Sequence, residues 1–224
     1  MKQILIIGSG DHARVVFYEI IKNKNYKVIG FVDNKNNKKR VLVKFLGKNF
    51  YYLGNLFNFL KENKNKKFYS IIAIGDNHLR KKVDNDIKKI NKEIKYETVI
   101  SKDCIINGDL VIGTGSIIMS GVVINNGSKI GNHCFINTSA SIDHDNRIED
   151  FSSIGPGVIT GGNVTIKKNT YIGIGAVIKH GVEIGKNTVI GGNSFVNKKC
   201  LDNSLYFGTP VKKIKSRKKN SKYL

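Results

Sequence analysis

From Ile106 to Val196 one side chain in six is aliphatic and in phase: Ile106, Ile112, Ile118, Ile124, Ile130, Ile136, Ile142, Ile148, Ile154, Ile166, Ile172, Ile178, Ile184, Ile190 and Val196, with Thr160 the one hydroxyl in the series. The residue two before each is mostly small or branched, as at Ser116, Val122, Ser128, Cys134, Ala140 and Ala176. A glycine often follows, as at Gly113, Gly131, Gly155, Gly173, Gly185 and Gly191. A period of six fits neither an amphipathic helix, at about 3.6, nor a half-buried strand, at about 2. It fits a short strand and a tight turn, three of which close one coil of a triangular prism. Such stacks bury a continuous core that no single repeat can bury. Branched isoleucine suits the pleated wall, and the glycines after the aliphatic are expected at corners of positive φ. Sixteen hexads hold this phase, which predicts a parallel β-helix.

Upstream the pattern changes. Residues 2–8 read as a buried strand ending at Gly8-Ser9-Gly10. A helix is expected from Asp11 to Asn23, with Asp11 or Ser9 as its cap. A second strand, Tyr26 to Val32, ends in Asp33-Asn34, and Lys35 to Lys39 reads as a solvated loop. Tyr51 to Asn55 leads into a helical pattern through Leu56, Phe57, Phe59 and Leu60. Phe68 to Ile74 is a third strand, closing in Gly75-Asp76-Asn77 before a helix with Leu79, Val83 and Ile87 on one face. Glycines at the first strand-to-helix turn let the backbone approach a diphosphate, and the helix N-terminus adds partial positive charge. Gly8-x-Gly10-x-x-Ala13 also fits a nicotinamide dehydrogenase. Three strands before residue 97 leave little sheet for a full dinucleotide fold, so a mononucleotide or nucleotide-sugar diphosphate fits better. The expected division is a Rossmann-like α/β domain over 1–97, the β-helix over 98–205 and a frayed basic tail over 206–224.

Composition narrows the classes. Thirty-eight Lys and Arg against seventeen acids give +21, yet the basic residues run throughout the chain and lysine greatly outnumbers arginine. That spread argues against a nucleic-acid interface; a positive field still gathers anionic small molecules. No apolar run reaches the ~18 residues of a membrane span, so no membrane insertion is expected. Cys104, Cys134 and Cys200 are odd in number and scattered, reading as reduced packing residues of a cytoplasmic protein.

Candidate chemistry centres on histidine. Metal ligands on adjacent coils should lie near eighteen residues apart, but His133, His144 and His180 are separated by eleven and thirty-six, so no metal site is expected. His144 follows an inward isoleucine and is flanked by Asp143 and Asp145. It reads either as a solvated corner or as a general base whose neighbouring carboxylate holds its tautomer. His12, at the start of the first helix, is either a local cap or a contact for a bound sugar or phosphate.

Taken together, Gly8-Ser-Gly10-Asp-His12-Ala-Arg-Val-Val, Phe31-Val-Asp33-Asn34, Ile72-Ala-Ile-Gly75-Asp-Asn77-His-Leu-Arg80, Ile136-Asn137-Thr138, Ile142-Asp-His144-Asp145, Ile154-Gly-Pro156-Gly157 and Phe207-Gly208-Thr-Pro210 are specific. With them the chain, from Ile4 to about Lys213, resembles the sugar acyltransferases that acetylate nucleotide-linked amino sugars or sialic acids, such as the bacillosamine-pathway and perosamine N-acetyltransferases. The resemblance implies a left-handed β-helix, a homotrimer and acetyl-coenzyme A in the cleft between adjacent prisms. It implies that His144 is the base and Asp145 its acidic neighbour. Asn137 matches an asparagine near the reacting centre and, with Gly162, Ile174 and Gly192, the coenzyme-lining positions. Gly10, Asp11, His12, Asp33, Asn34 and Gly54 match the nucleotide-sugar pocket. Two positions depart from the pattern: Ser153 stands where many relatives have a histidine, and Asp11 where glycine is common. No nucleophile motif accompanies His144, so direct transfer in a ternary complex is expected. An O-acetyltransferase of a sialic acid and a non-catalytic nucleotide-sugar-binding protein are the alternatives.

Overall fold

The computed structural model describes residues 1–35, 38–218 and 221, so part of the expected Lys35 to Lys39 loop and the end of the basic tail lie outside the described residues. The chain divides into two units, Met1–Gly75 with Leu79–Glu97, and Asp76–His78 with Thr98 onward.

The first unit is a small α/β sheet. Strand β1 (Lys2–Ile7) lies between β2 (Tyr26–Asp33) and β5 (Tyr69–Ile72), parallel to both. Its run Ile4 to Ile7 is buried on both faces, as a central parallel strand requires. Leu5 and Ile7 join Val32, Leu56, Ile72, Val83 and Ile87 in one cluster. Phe17 of α1 (Asp11–Lys22) packs on Phe31 and Phe50, with ring centroids 5.6 and 4.6 Å apart. The sheet has six strands rather than three, because β3 (Arg40–Phe45) and β4 (Lys48–Asn55) form a hairpin that joins β2, and β6 (Lys95–Tyr96) adds to β5. Leu46 and Gly47 make the hairpin turn at φ 45° and 72°. A leucine at positive φ is not a turn signal a sequence displays. In α3 (Asn77–Ile90) Leu79 is 45% exposed, contrary to expectation, and Arg80 turns inward beside Val83 and Ile87. Arg80 reaches back to donate to the carbonyls of Ile74 (2.7 Å) and Gly75 (3.1 Å), which closes the loop after β5.

The second unit is a left-handed parallel β-helix. Two-residue strands recur every six positions and stack in three faces. Ile118 pairs with Ile136, Ile124 with Ile142 and Ile130 with Ile148, so each coil is eighteen residues. The first face runs upward from Val99–Ile100, the second from Ile105–Ile106 and the third from Val111–Ile112. The isoleucine ladder fills the interior, and Thr160 is buried within it.

The glycines after the aliphatic serve a different purpose from the one expected. Positive φ falls instead three residues before each ladder position from Ile118 on, at Gly121, Gly127 and Gly157 but also at Asp145, Asn163, Asn169 and Asn193, and even at His133, Ser139 and Phe151. Asn and Asp tolerate that conformation. Gly131 lacks a side chain because a Cβ there would lie 2.6 Å from the backbone nitrogen of Asp150 on the next coil.

The expected frayed tail is also partly ordered. Ser204–Phe207 pairs with Val189–Ile190, and Lys212–Ser216 adds to it antiparallel, closing the first face with a lysine-rich edge that resists further pairing. No described helix is long and apolar enough to cross a membrane.

These two glycine positions separate in an unfolding experiment. Gly131→Ala is expected to destabilise by about 1–3 kcal/mol through overpacking between coils. Gly157→Asn, at φ 64° with open space around it, is expected to change the urea midpoint little.

Candidate functional site

Each face of the prism ends in an edge of turns, and the three edges differ. On the third edge side chains cap the outward backbone N–H groups: Asn132 accepts from Thr114 (2.9 Å), Asp150 from Asn132 (2.9 Å) and Asp202 from Lys186 (2.9 Å). The first and second edges are open at Ile174 and Gly192, and at Gly162 and His180, whose N–H groups have no hydrogen-bond partner among the described residues. Uncapped outward N–H groups are where a ligand oxygen can bind.

His144 and Asp145 sit on the second edge. Asp145 occupies the left-handed corner at φ 56°, and its Oδ2 lies 2.8 Å from His144 Nδ1. This pairing leaves Nε2 outermost as the proton-accepting atom. Nε2 faces Gly162 one coil on, so closely that any side chain there would collide with the ring. Beyond Gly162 lies the His180 ring, 6.2 Å from that of His144 between centroids. A ladder of amides, Asn107 to Asn125 (3.0 Å) and Asn125 to Asp143 (3.1 Å), ends at the Asp143 carboxylate, which also accepts from the His144 N–H (2.8 Å). The Asn125 and His144 donors hold Asp143 below the usual carboxylate range. The hydrogen bond that Asp145 accepts from the ring, then the charges of Asp143 and Asp145, raise His144 above the ordinary imidazole value. A raised value means that the free base accumulates only as pH climbs past it.

The other prism positions are not gathered here. Asn137, Ile174 and Gly192 lie on the first edge, where Asn137 Nδ2 donates to the Ile154 carbonyl (2.8 Å) and Ile174 is 60% exposed. Ser153 is buried on the first face and donates to Asn77 Oδ1 at 2.6 Å. Among the described residues no group of three or more His, Cys, Asp or Glu is placed to hold a metal ion.

In the first unit the candidate residues meet at the carboxyl ends of β1, β2 and β4, where open parallel sheets bind ligands. Neither Ser9 nor Asp11 caps α1; Gly10 does so, without a side-chain bond. Ser9 Oγ donates instead to Asp33 Oδ2, and Asp11 pairs with Arg14. Asp33 Oδ1 accepts from the Lys35 N–H (2.7 Å), and the hydroxyl of buried Tyr52 is 2.8 Å away. Asp33 thereby clamps the glycine loop to its neighbours. A Cβ on Gly8 would meet the Ala73 carbonyl at 2.8 Å, whereas Gly10 and Gly54 border open space. Asn34 is exposed beside them. Burial, and then the Arg80 guanidinium, push His12 down to about 4, so at neutral pH it is an uncharged hydrogen-bonding group rather than a cation for phosphate. Arg14 and Arg80, the cations actually placed there, carried no spacing signal.

The PglD N-terminal domain matches residues 3–87, and the bacterial transferase hexapeptide (six repeats) matches residues 163–198. By these matches the chain is similar to the hexapeptide-repeat acyltransferases. Among solved structures this acyltransferase is similar to PerB from Caulobacter crescentus in complex with CoA and GDP-perosamine, at 29% identity over 95% of this chain and 97% of that one, TM-score 0.82. A histidine-to-asparagine mutant of perosamine N-acetyltransferase from Caulobacter crescentus, with the same two ligands, is 28% identical over 96% of this chain and 98% of that one, TM-score 0.84. The acetyltransferase domain of PglB from Neisseria gonorrhoeae, 24% identical over 96% and 100% with TM-score 0.83, shares the fold.

The electrostatics of the second edge are open to direct titration. His144 is expected to titrate above 6.5 by imidazole NMR, and Asp145→Asn to bring the midpoint down, because the carboxylate that favours the imidazolium is gone. An unchanged midpoint in that variant contradicts the pairing.

Proposed function

We propose that this acyltransferase moves the acetyl group of acetyl-coenzyme A to the amino group of a nucleotide-linked amino sugar, in surface-glycan synthesis in the cytoplasm. The observation that carries the reading is the His144–Asp145 pair, its Nε2 directed over a glycine with an unpartnered N–H. The coenzyme supplies the acetyl thioester. His144 Nε2 accepts the proton lost by the attacking amine, and Asp145 stabilises the imidazolium. The Gly162 N–H is the donor for the oxyanion that develops on the carbonyl. The imidazolium then returns its proton to the departing thiolate. Asn137, Ile174 and Gly192 line the coenzyme.

The sugar nucleotide is assigned to the first unit. The diphosphate is read onto Gly10 and the first turn of α1 with Arg14 and Asp11 at its rim. Asp33, Asn34, Gly54 and uncharged His12 provide hydrogen bonds and space around the ribose and sugar. GDP-perosamine is the first acceptor to test, since similar enzymes hold it.

The placement of the two open edges supports a homotrimer. Of the coenzyme-lining positions Gly162 shares the edge of the base, whereas Asn137, Ile174 and Gly192 lie on a different edge of the prism, so a second copy would bring them to one thioester. The second face supports this: its outward column is Ile105, Val123, Ser141, Ile159, Val177 and Phe195, with Ile105 56%, Ile159 51% and Val177 40% exposed. The third face presents Lys129, Arg147, Thr165 and Glu183, the last paired with Lys167 and Lys199, and suits water. An apolar ladder of this kind marks a protein contact.

His144→Ala is expected to lower kcat about 10²–10⁴-fold while coenzyme affinity and oligomeric state persist; near-normal turnover removes the mechanism. The acceptor panel is GDP-, UDP- and dTDP-linked amino sugars with free sialic acids, read as thiol release, and turnover with only the last shifts the reading to O-acetylation. Ile159→Arg is expected to convert the trimer to monomers in sedimentation analysis and to abolish turnover; an active monomer refutes the shared site.

A further inference from the structure

The hexad rule is broken at two buried positions, and both breaks point at the same corner. Two residues before the aliphatic, other hexads carry small, branched or hydroxyl side chains; residue 146 alone is an amide. On the aliphatic ladder itself residue 160 alone is polar. Asn146 is 1% exposed and Thr160 is 3% exposed.

Their hydrogen bonds explain why these types are present. At this position Ser116 and Ser152 each donate to one carbonyl fifteen residues on, Gly131 and Lys167. Asn146 makes the equivalent contact to Gly161 (3.0 Å) and, being longer, also reaches the carbonyls of Asp143 (2.7 Å) and His144 (3.2 Å). Ser128 Oγ supports it from below, accepting from the Asn146 N–H (3.1 Å) and donating to the Asp143 carbonyl (2.8 Å). Thr160 replaces a ladder bond. In neighbouring coils the residue after the aliphatic donates to the backbone carbonyl of the next coil, as Asn125 does to Ile142 and Gly161 to Ile178. The Asp143 N–H meets the Thr160 hydroxyl instead (3.2 Å).

We propose that Asn146 and Thr160 form a buried brace that positions the base: together they fix residues 143–145 and the Gly161–Gly162 peptide as one rigid unit. The geometry follows from the trans peptide. Its carbonyl and N–H point in opposite directions, so an amide that draws the Gly161 carbonyl inward aims the Gly162 N–H outward, on the side of His144 Nε2. The same Nδ2 holds the two carbonyls flanking the His144 peptide. One side chain thus sets the separation between proton acceptor and oxyanion donor. Both are positioning residues, since neither reaches the open edge.

The brace rests on the reading of His144 as the base, so its test includes a readout that needs no acceptor. Asn146→Val and Thr160→Val place residues that other hexads already hold at the same positions, Val158 and Val196. Imidazole NMR of the free protein follows His144, whose ring is faced by Asp143, Asp145 and His180. Asn146→Val is expected to shift the His144 midpoint toward 6.5 and to lower kcat on the order of 10²-fold with little change in KM. Thr160→Val is expected to shift both in the same direction by less, and Thr160→Ser, which keeps the hydroxyl, to restore them. An unmoved midpoint in Asn146→Val, or equal behaviour of Thr160→Val and Thr160→Ser, overturns the brace. If Asn146→Val fails to fold, the two Thr160 variants decide. Full turnover in His144→Ala would instead refute the base, a result separate from any outcome for the brace.

Discussion

The coils of the second unit follow from one constraint, that each residue from Val99 to Val196 sits on its counterpart eighteen positions away. A stacked coil leaves a side chain three destinations: the interior, an outer face, or an edge where the chain turns. Isoleucine at the interior position satisfies packing at every level, because successive copies meet in the same orientation. Where glycine follows it, as at Gly131, backbone of the next coil already occupies the place of a Cβ, whereas other hexads carry residues such as Asn, Asp, Glu or Lys there. The left-handed turn is taken mostly by Gly, Asn and Asp, which tolerate it, and by His133, Ser139 and Phe151 in single coils.

A fold built this way makes function a matter of exceptions. Side chains seal the third edge by accepting its outward N–H groups, and on the first and second edges the same groups are left open at Ile174 and Gly192, and at Gly162 and His180. Asp145 meets both demands at once. It takes the strained corner that is mostly Asn or Gly elsewhere, and from that corner its carboxylate reaches the imidazole beside it. A glutamate at this corner loses the local tolerance of Asp for positive φ.

The first unit relies on a different device. Its glycine loop is held by Asp33, which collects the Ser9 hydroxyl, the Lys35 N–H and the Tyr52 hydroxyl, so the acid at the strand tip is a clamp before it is a ligand contact. Arg80 closes the loop after β5 and adds its charge to the burial that depresses His12. Two basic groups in one site therefore divide the work: the guanidinium keeps its charge, and the imidazole gives it up.

The six-residue period was enough by itself to establish the β-helix, its inward ladder and the phase that puts His144 and Asp145 on an edge, because a strictly local repeat leaves one way to bury every aliphatic. The paired strands β1, β2 and β5 were legible for the same reason, as apolar runs ending in glycine or acid. Tertiary structure alone decided the rest. The β3–β4 hairpin turns on Leu46, whose conformation is imposed by its partners rather than by its type. The capping of one edge and the openness of two others depend on side chains eighteen residues distant. That Asn137, Ile174 and Gly192 share one edge while His144 and Gly162 share another depends on how coils close in space, and residues seven apart in the chain can face opposite ways once a corner intervenes.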